Sequence, residues 1–209
     1  MASPSPQSEG SSTPERILDA AEALFAERGF AGTAVRDIAT RSGLNPASLY
    51  NHFESKQALY EAVLERGMRP IYEILDQAAS PDDPPDLRLL GELTAYLSRS
   101  PNLARLIQQE ALSGGAHVLE LMRRWLQPMY ARATAALELS PALGDWERDE
   151  LPLLLMTYHH LIFGHFAMAE ALGQVLGLDF LSPEAVRRQT RFLAKVTERL
   201  LGAEPSEET

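Results

Sequence analysis

The chain has 209 residues, a formal net charge of −10 and no cysteine. This length can bury a sizeable core, and the hydrophobic (45%) and charged (23%) fractions are those of a globular protein. The lack of cysteine excludes disulfides, thiol catalysis and cysteine-ligated metals, and the acidic charge confines any nucleic-acid contact to a local surface.

The N-terminal stretch "MASPSPQSEGSS" is rich in Ser and Pro and has no apolar run. We expect residues 1–12 to form a disordered arm and not a secretory signal.

The next stretch, "TPERILDAAEALFAERGF", predicts a helix with Thr13 as N-cap, Pro14 in the first turn and Gly29 ending it in the left-handed conformation. Its predicted buried face, at helical spacing, consists of Ile17, Ala21, Leu24 and Phe25.

Two short helices are predicted next. In "TAVRDIATRSG" Thr33 is the expected cap and Gly43 the stop, while in "GLNPASLYNHFESK" Asn45 is the expected cap and Pro46 begins the helix. Leu49, together with Phe53 four residues later, should point into the core. The second of these helices should therefore turn its remaining side chains outward.

The outward face of this third helix is small, hydrogen-bonding and aromatic. Three short helices, with a Gly-containing turn before the last, predict a helix-turn-helix whose final helix enters the DNA major groove. Ala47 and Ser48 permit close approach, Ser48 and Asn51 can hydrogen-bond to base edges, and Tyr50 can contact a phosphate or a thymine methyl. His52 is a further candidate for the DNA-facing side.

The rest of the sequence predicts more helices. Ser55 should cap a long fourth helix that contains Pro70, and "SPDDPPD" over residues 80–86 predicts a loop. Since no alternating strand pattern is found, the predicted fold is all-α. The later predicted helices span about 86–99, 101–113, 116–139, 147–176 and 183–202.

The segment "AAEALFAERGFAGTAVRDIATRSGLNPASLYNHFESKQAL" resembles the N-terminal domain of the TetR family of bacterial repressors, over about residues 14–60. The resemblance implies a homodimer that binds a near-palindromic operator in double-stranded DNA and holds a small-molecule effector in its C-terminal domain. We expect the domain division 13–60 for DNA binding, 61–202 for effector binding and dimerisation, and a disordered tail at 203–209. The positions that match the family's DNA contacts are Thr33, Arg36, Pro46, Ala47, Ser48, Tyr50, Asn51 and Lys56.

The charge distribution qualifies this expectation. Residues 1–67 carry a net charge of −3, whereas residues 28–56 carry a net charge of +2. Basic charge is therefore concentrated where DNA should lie. The alternative is a helical core unit whose exposed residues have no binding role.

The stretch "LPLLLMTYHHLIFGHFAMAEALG", from Leu151 onward, is apolar enough to suggest a membrane span. Its three histidines, Glu170 and Pro152 argue for a buried helix instead, so we expect no membrane association. His159, His160 and His165 do not share one helical face squarely, and we interpret them as core or pocket residues and not as metal ligands. No cofactor or metal is expected.

Two further surfaces are predicted in the larger domain. Small residues of one helix and a seven-residue repeat in the last helix predict a dimer interface made of Gly164, Ala167, Ala171, Val186, Leu193, Val196 and Leu200. Aromatic, Met, His and amide residues of the middle helices are candidates for an effector pocket, although plain core packing is the alternative. They are Tyr96, Gln108, Gln109, His117, Met122, Trp125, Met129, Tyr130, Tyr158, His159 and Phe163.

No phosphate-binding loop, nucleophile elbow or zinc-protease motif occurs, so we expect no enzyme. The favoured hypothesis is a cytoplasmic, ligand-responsive transcriptional regulator, a repressor released by a small apolar or aromatic effector. The alternative is a dimeric small-molecule-binding or interaction protein without effective DNA binding.

Overall fold

The computed structural model describes residues 12–78, 87–114, 119–120, 123–124, 127–128, 130–131 and 146–201. These parts are helical and contain no strand, which confirms the predicted all-α fold. Almost all of the predicted N-terminal arm, the 80–86 loop, the 203–209 tail and most of the predicted 116–139 helix lie outside the described residues. The chain divides into two compact units, residues 1–64 and 65–209.

The first unit is built from α1 (Thr13–Gly32), α2 (Val35–Arg41), α3 (Pro46–Tyr50) and the first turns of α4 (Lys56–Ala78). Its core contains an aromatic cluster in which the Phe25 and Tyr60 rings meet edge to face, with centroids 4.8 Å apart. The other buried side chains include Ile17, Ala21, Leu24, Ile38, Ala39, Leu49 and Leu59.

Both ends of α1 differ from the prediction. Ser12, not Thr13, occupies the N-cap position, and the helical run reaches Gly32 although Gly29 leaves helical geometry at φ 72° and ψ 173°. Gly29 thus has the predicted positive φ, but its ψ is extended. The Thr33 hydroxyl donates to the carbonyl oxygens of Leu24 (3.1 Å) and Gly29 (2.8 Å) and closes this end of the helix.

The turn between α2 and α3 is a Schellman motif. The Leu44 amide donates to the Ala39 carbonyl at 2.8 Å, and the Gly43 amide donates to the Thr40 carbonyl at 3.1 Å. Gly43 has φ 73°, which L side chains rarely adopt. This turn therefore requires glycine where the sequence predicted the helix to stop.

A contact from α1 holds the same turn. Arg16 Nη2 donates to the Ser42 carbonyl at 2.7 Å, so a cation sits at the C-terminal end of α2, where the helix dipole favours it. The angle at which the chain enters α3 is thus supported from the first helix.

The second unit contains the rest of α4, α5 (Leu87–Arg99), α6 (Pro101–Leu112), α7 (Leu151–His159), α8 (His165–Leu176) and α9 (Pro183–Leu201). Helix α5 packs on α9, where the Thr94 and Thr190 hydroxyls are 2.7 Å apart. Helix α6 packs on α8 and on the segment His160–Gly164.

The segment predicted as one helix over 147–176 is irregular. It begins with a 3₁₀ turn at Arg148–Glu150, and α7 and α8 are joined by the π-helical turn His160–Gly164. Such wide turns are rare within helices and are frequent at functional sites. Gly177 ends α8 in the left-handed conformation, with φ 66° and ψ 30°.

Candidate nucleic-acid interface

Helix α3 is fixed by a cap and a buried anchor. The Asn45 side chain accepts a hydrogen bond from the Ser48 amide at 2.8 Å, which confirms Asn45 as the cap. Leu49 is fully buried, and it fixes which side of the helix faces outward. The exposed residues of this face are Pro46, Ala47, Tyr50, Asn51 and His52, and Ser48 beside them is half-buried.

Tyr50 is the large side chain of this face. Its relative exposure is 49%, whereas the Phe25 and Tyr60 rings of the same unit are buried. Asn51 follows it as the helix ends, so an aromatic ring and an amide lie together at the surface. This pair can offer both apolar contact and hydrogen bonds to a ligand.

The start of α4 lies next along the chain. Ser55 Oγ accepts from the Ala58 amide at 3.0 Å, so the predicted Ser55 cap is confirmed. Lys56 is the first residue of the helix, and its Nζ lies 4.4 Å from the centroid of the Phe30 ring. The proximity of Phe30 to this region could not be predicted, because the contact joins residues from two helices.

The arginines near this surface are paired with acidic groups. Arg28 Nη1 lies 3.2 Å from Asp37 Oδ2, and Arg41 Nη1 lies 3.9 Å from Glu27 Oε2. Arg36 Nε is 3.5 Å from Asp37 Oδ1, although its side chain is 82% exposed. Of these three arginines, Arg36 is the most accessible to an anion.

Thr33 does not belong to the exposed surface. Its relative exposure is 2%, and its hydroxyl is engaged by the two carbonyls at the end of α1. Ala34, not Thr33, is the N-cap of α2, so the predicted cap is wrong. The geometry gives Thr33 a structural role and offers no hydroxyl for DNA.

Comparison with known proteins agrees with this geometry. Residues 17–63 match the profile of bacterial regulatory proteins of the tetR family. The HTH-type transcriptional repressor Rv3405c of Mycobacterium tuberculosis is 44% identical over 173 residues, which is 82% of this chain and 81% of that protein. BepR of Brucella suis, also an HTH-type transcriptional repressor, is 37% identical over 164 residues, 72% of this chain and 78% of its own.

The chain belongs to the TetR family. It is a ligand-responsive, DNA-binding transcriptional regulator. Solved structures of the same fold include the fatty acid degradation regulator FadR from Bacillus halodurans, with a TM-score of 0.65 and 17% identity over 95% of this chain and 100% of that one. GusR from Salmonella enterica gives a TM-score of 0.59 and 24% identity over 91% and 96% of the two chains.

The effector-pocket candidates of this TetR-family protein are only partly described. His117, Met122, Trp125 and Met129 lie outside the described residues. The Tyr96 hydroxyl donates to the Gly67 carbonyl at 2.7 Å, so this group supports α4. The remaining candidates are half-buried and comprise Gln108, Gln109, Tyr130, Tyr158, His159 and Phe163.

His159 and Phe163 form the best-defined part of this set. Their rings are stacked, with centroids 4.7 Å apart, on either side of the start of the π-helical turn. Burial, assisted by the neighbouring His160, lowers the pKa of His159 below its usual value. The imidazole is therefore neutral at neutral pH and can both donate and accept a hydrogen bond.

The predicted dimer seam of the regulator needs correction. Leu193 has no exposed surface, and α9 packs on α5, so Leu193 lies inside the protomer. Val186, Val196 and Leu200 are half-buried on the same helix. Of the predicted residues on α8 and the turn before it, Ala171 is exposed, while Gly164 and Ala167 are half-buried.

Other apolar side chains of α8 and α9 are exposed. Val175 is 79% exposed and Phe192 is 55% exposed, and Met168 and Leu172 are also at the surface. Met168, Leu172 and Phe192 line one groove of about 350 Å³, together with His160, His165, Phe180 and Gln189 among others. None of the predicted effector-pocket residues lines this groove.

The described residues hold neither a membrane span nor a metal cluster. No helix among them is long and apolar enough to cross a bilayer. No group of three or more His, Asp or Glu side chains with the spacing of a metal site occurs in these parts of the chain.

Proposed function

We propose that this protein is a homodimeric repressor that binds a near-palindromic DNA operator and leaves it when a small effector binds. The observation that carries the proposal is the exposed face of α3, where Ala47, Tyr50 and Asn51 are open to solvent shortly before α4 begins at Lys56. Because a bacterial chromosome lies in the cytoplasm, the regulator would act there.

The exposed face of α3 suits the DNA major groove. Ala47 carries only a methyl group, so the helix start can approach base edges closely. Asn51 can donate to and accept from a single base, as adenine requires, and Tyr50 can reach a thymine methyl or a phosphate. The Asn45 side chain is engaged in capping and is not assigned to base recognition.

Phosphate contacts would come from a few cations. The whole chain carries a formal net charge of −10, so DNA binding cannot depend on overall attraction. Arg36, with its largely exposed guanidinium, and Lys56 are the groups that we assign to the DNA backbone. Ser48, Pro46 and His52 would adjoin the same groove.

For the effector we infer a mainly apolar or aromatic molecule that is bound within the second unit. The stacked pair of His159 and Phe163 offers a flat apolar surface and a neutral imidazole, and Gln108 offers an amide on the neighbouring α6. Few fixed charges occur among these residues, which favours an uncharged ligand.

The homodimer would form through α8 and α9. Monomeric proteins rarely expose a continuous apolar patch, and Met168, Leu172 and Phe192 share one. A second copy is the occupant that a two-fold operator demands, because half-sites lie roughly 34 Å apart and need two recognition helices. We therefore replace the predicted Leu193 seam by this exposed face.

The first experiment is binding-site selection from random DNA, followed by titration of the selected operator. Tyr50→Ala and Asn51→Ala should each weaken operator binding by about 1–3 kcal/mol, because each removes a contact at the groove. Asp19→Asn, on the exposed side of α1, is the matched control and should bind as the wild type does.

Selection without enrichment of any sequence would contradict DNA regulation and favour the alternative, a dimeric small-molecule-binding protein.

A second measurement tests the release of the operator by an effector. A compound that raises the melting temperature should lower operator affinity, and the operator should lower the affinity for that compound by the same factor, since coupling is reciprocal. Equal operator affinity at saturating compound would contradict the proposed release.

A further inference from the structure

The Lys56 ammonium contacts an aromatic ring, that of Phe30. Lys56 Nζ lies 4.4 Å from the Phe30 ring centroid, within the range of a cation–π interaction. The two residues come from the ends of different helices, Phe30 near the end of α1 and Lys56 at the start of α4. The contact therefore belongs to the tertiary structure of the first unit and not to one helix.

The position of Lys56 is electrostatically unfavourable for the protein alone. A helix N-terminus carries partial positive charge, so an anion is favoured there and a cation is not. Residues that break such a local rule are concentrated at functional sites. Stability of α4 alone gives no reason for a lysine at this position.

Lys56 also differs from the arginines around it. Arg28, Arg36 and Arg41 each lie within 4 Å of a carboxylate of Glu27 or Asp37. Among the described residues no carboxylate lies within ion-pair distance of Lys56, and the aromatic ring takes that place. A ring has no net charge, so the ammonium keeps its full charge while its position is restricted.

The ring itself is held in place. The Phe30 centroid lies 5.0 Å from that of Tyr60 and 6.1 Å from that of Phe25, both of which are buried. Gly29 leaves helical geometry immediately before Phe30, so the backbone changes direction at this residue. The aromatic cluster thus provides a fixed surface under a flexible side chain.

We propose that Phe30 is a positioning residue for DNA binding, which holds the Lys56 ammonium over its ring and ready for an operator phosphate. The inference depends on the proposed function, because it assumes an operator. A flexible lysine loses rotamer freedom when it binds a phosphate, and the ring restricts that freedom before DNA arrives. Phe30 itself need not touch DNA.

The test is a double-mutant cycle on the selected operator at several salt concentrations. Lys56→Ala should reduce the slope of log K against log salt by about 0.9 for each phosphate that the lysine neutralises, and so by about 1.8 for a dimer. Phe30→Leu should weaken binding roughly two- to tenfold per protomer, because one more rotamer-rich side chain must then be immobilised when DNA binds. In the Lys56→Ala background, Phe30→Leu should weaken binding no further.

Two controls separate positioning from folding. Phe30→Tyr keeps a ring and should keep wild-type affinity. In the free protein, the Lys56 side-chain protons should resonate upfield of ordinary lysine because they lie over a ring, and Phe30→Leu should abolish that shift. This spectroscopic signal does not depend on DNA or on changes in global stability.

The outcomes are distinguishable. If Phe30→Leu weakens binding equally with and without Lys56, the ring acts through the core and the inference is wrong. If Lys56→Ala binds with an unchanged salt slope, the inference is also wrong, whereas DNA binding through Tyr50 and Asn51 stands. If no operator is selected, both the inference and the proposed function fail.

Discussion

At the residue scale, the Thr33 hydroxyl stabilises the fold by bonding to backbone carbonyls at the end of α1. It is buried and donates to the carbonyls of Leu24 and Gly29 at the point where Gly29 leaves helical geometry. Thr33→Val keeps the shape but removes that donor. We expect the free energy of unfolding to fall by about 1–3 kcal/mol, measured by chemical denaturation.

Thr40→Val is the matched control for this substitution. The Thr40 hydroxyl donates to the Arg36 carbonyl one turn earlier on the exposed side of α2, so its removal should change stability by less than about 0.5 kcal/mol. Operator affinity of folded Thr33→Val should equal that of the wild type. Unchanged stability with abolished operator binding would instead support the DNA contact that the sequence predicted.

The helix caps show how far single residues could be assigned from the sequence. The caps Asn45 and Ser55 were predicted correctly, because a cap is a local pattern of a hydrogen-bonding side chain before an apolar repeat. Thr33 and Thr13 carry the same pattern, yet the helices begin one residue away from the expected position. The cation–π contact of Lys56 could not be predicted, because nothing in the sequence fixes which ring lies near it.

At the scale of elements, α4 packs against α6 through a glycine. A Cβ at Gly67 would lie 2.5 Å from Leu103 Cδ1 and 3.2 Å from Cδ2, and Leu103 is itself buried. Gly67→Ala gains about 1 kcal/mol of helix propensity but forces this buried contact apart, at a cost of about 1–3 kcal/mol. We expect a net loss of stability, measured as a lower unfolding midpoint.

The sign of this effect should depend on Leu103. In a Leu103→Ala background the clash is gone, so Gly67→Ala should become stabilising relative to Leu103→Ala alone. A destabilising effect of the same size in both backgrounds would mean that Leu103 is not the residue that requires glycine.

Element boundaries were largely predictable, but their irregularities were not. The α5, α6 and α9 segments agree with the predicted ranges within about two residues, since Pro and Ser residues mark their starts. The π-helical turn His160–Gly164 was missed, because an apolar run with no polar face gives the same pattern in α and π geometry. Tyr96 stays a predicted pocket residue, and the bond from its hydroxyl to the Gly67 carbonyl of α4 could not be predicted because it joins two helices.

At the scale of the whole molecule, the apolar repeat of α9 was predictable but its partner was not. Val186, Leu193 and Leu200 form the stripe that the sequence indicates, and the complete burial of Leu193 shows that this residue packs within the protomer. An amphipathic helix must bury one face, but its sequence does not state whether the partner is the same chain or a second copy. Phe192, next to Leu193 in the sequence, is exposed on another face of α9, and this face is available to a second copy of the chain.

The dimer prediction follows from this face. Phe192→Glu and Val175→Glu each place a charge in the apolar surface of α8 and α9, where burial of an unpaired ion costs about 3–5 kcal/mol. Sedimentation velocity should show a dimer for the wild type and a folded monomer for both variants, with weakened operator binding because half-sites are then occupied singly.

Two further substitutions on α9 make this prediction specific. Arg187→Glu, exposed and about 140° around the helix from Phe192, should remain dimeric, since a charge is already present there and faces solvent. Leu193→Glu should unfold the protomer, because it buries the charge in the core between α9 and α5. If Phe192→Glu and Val175→Glu both sediment as wild-type dimers, the two copies associate elsewhere, and the exposed face of α8 and α9 has another partner.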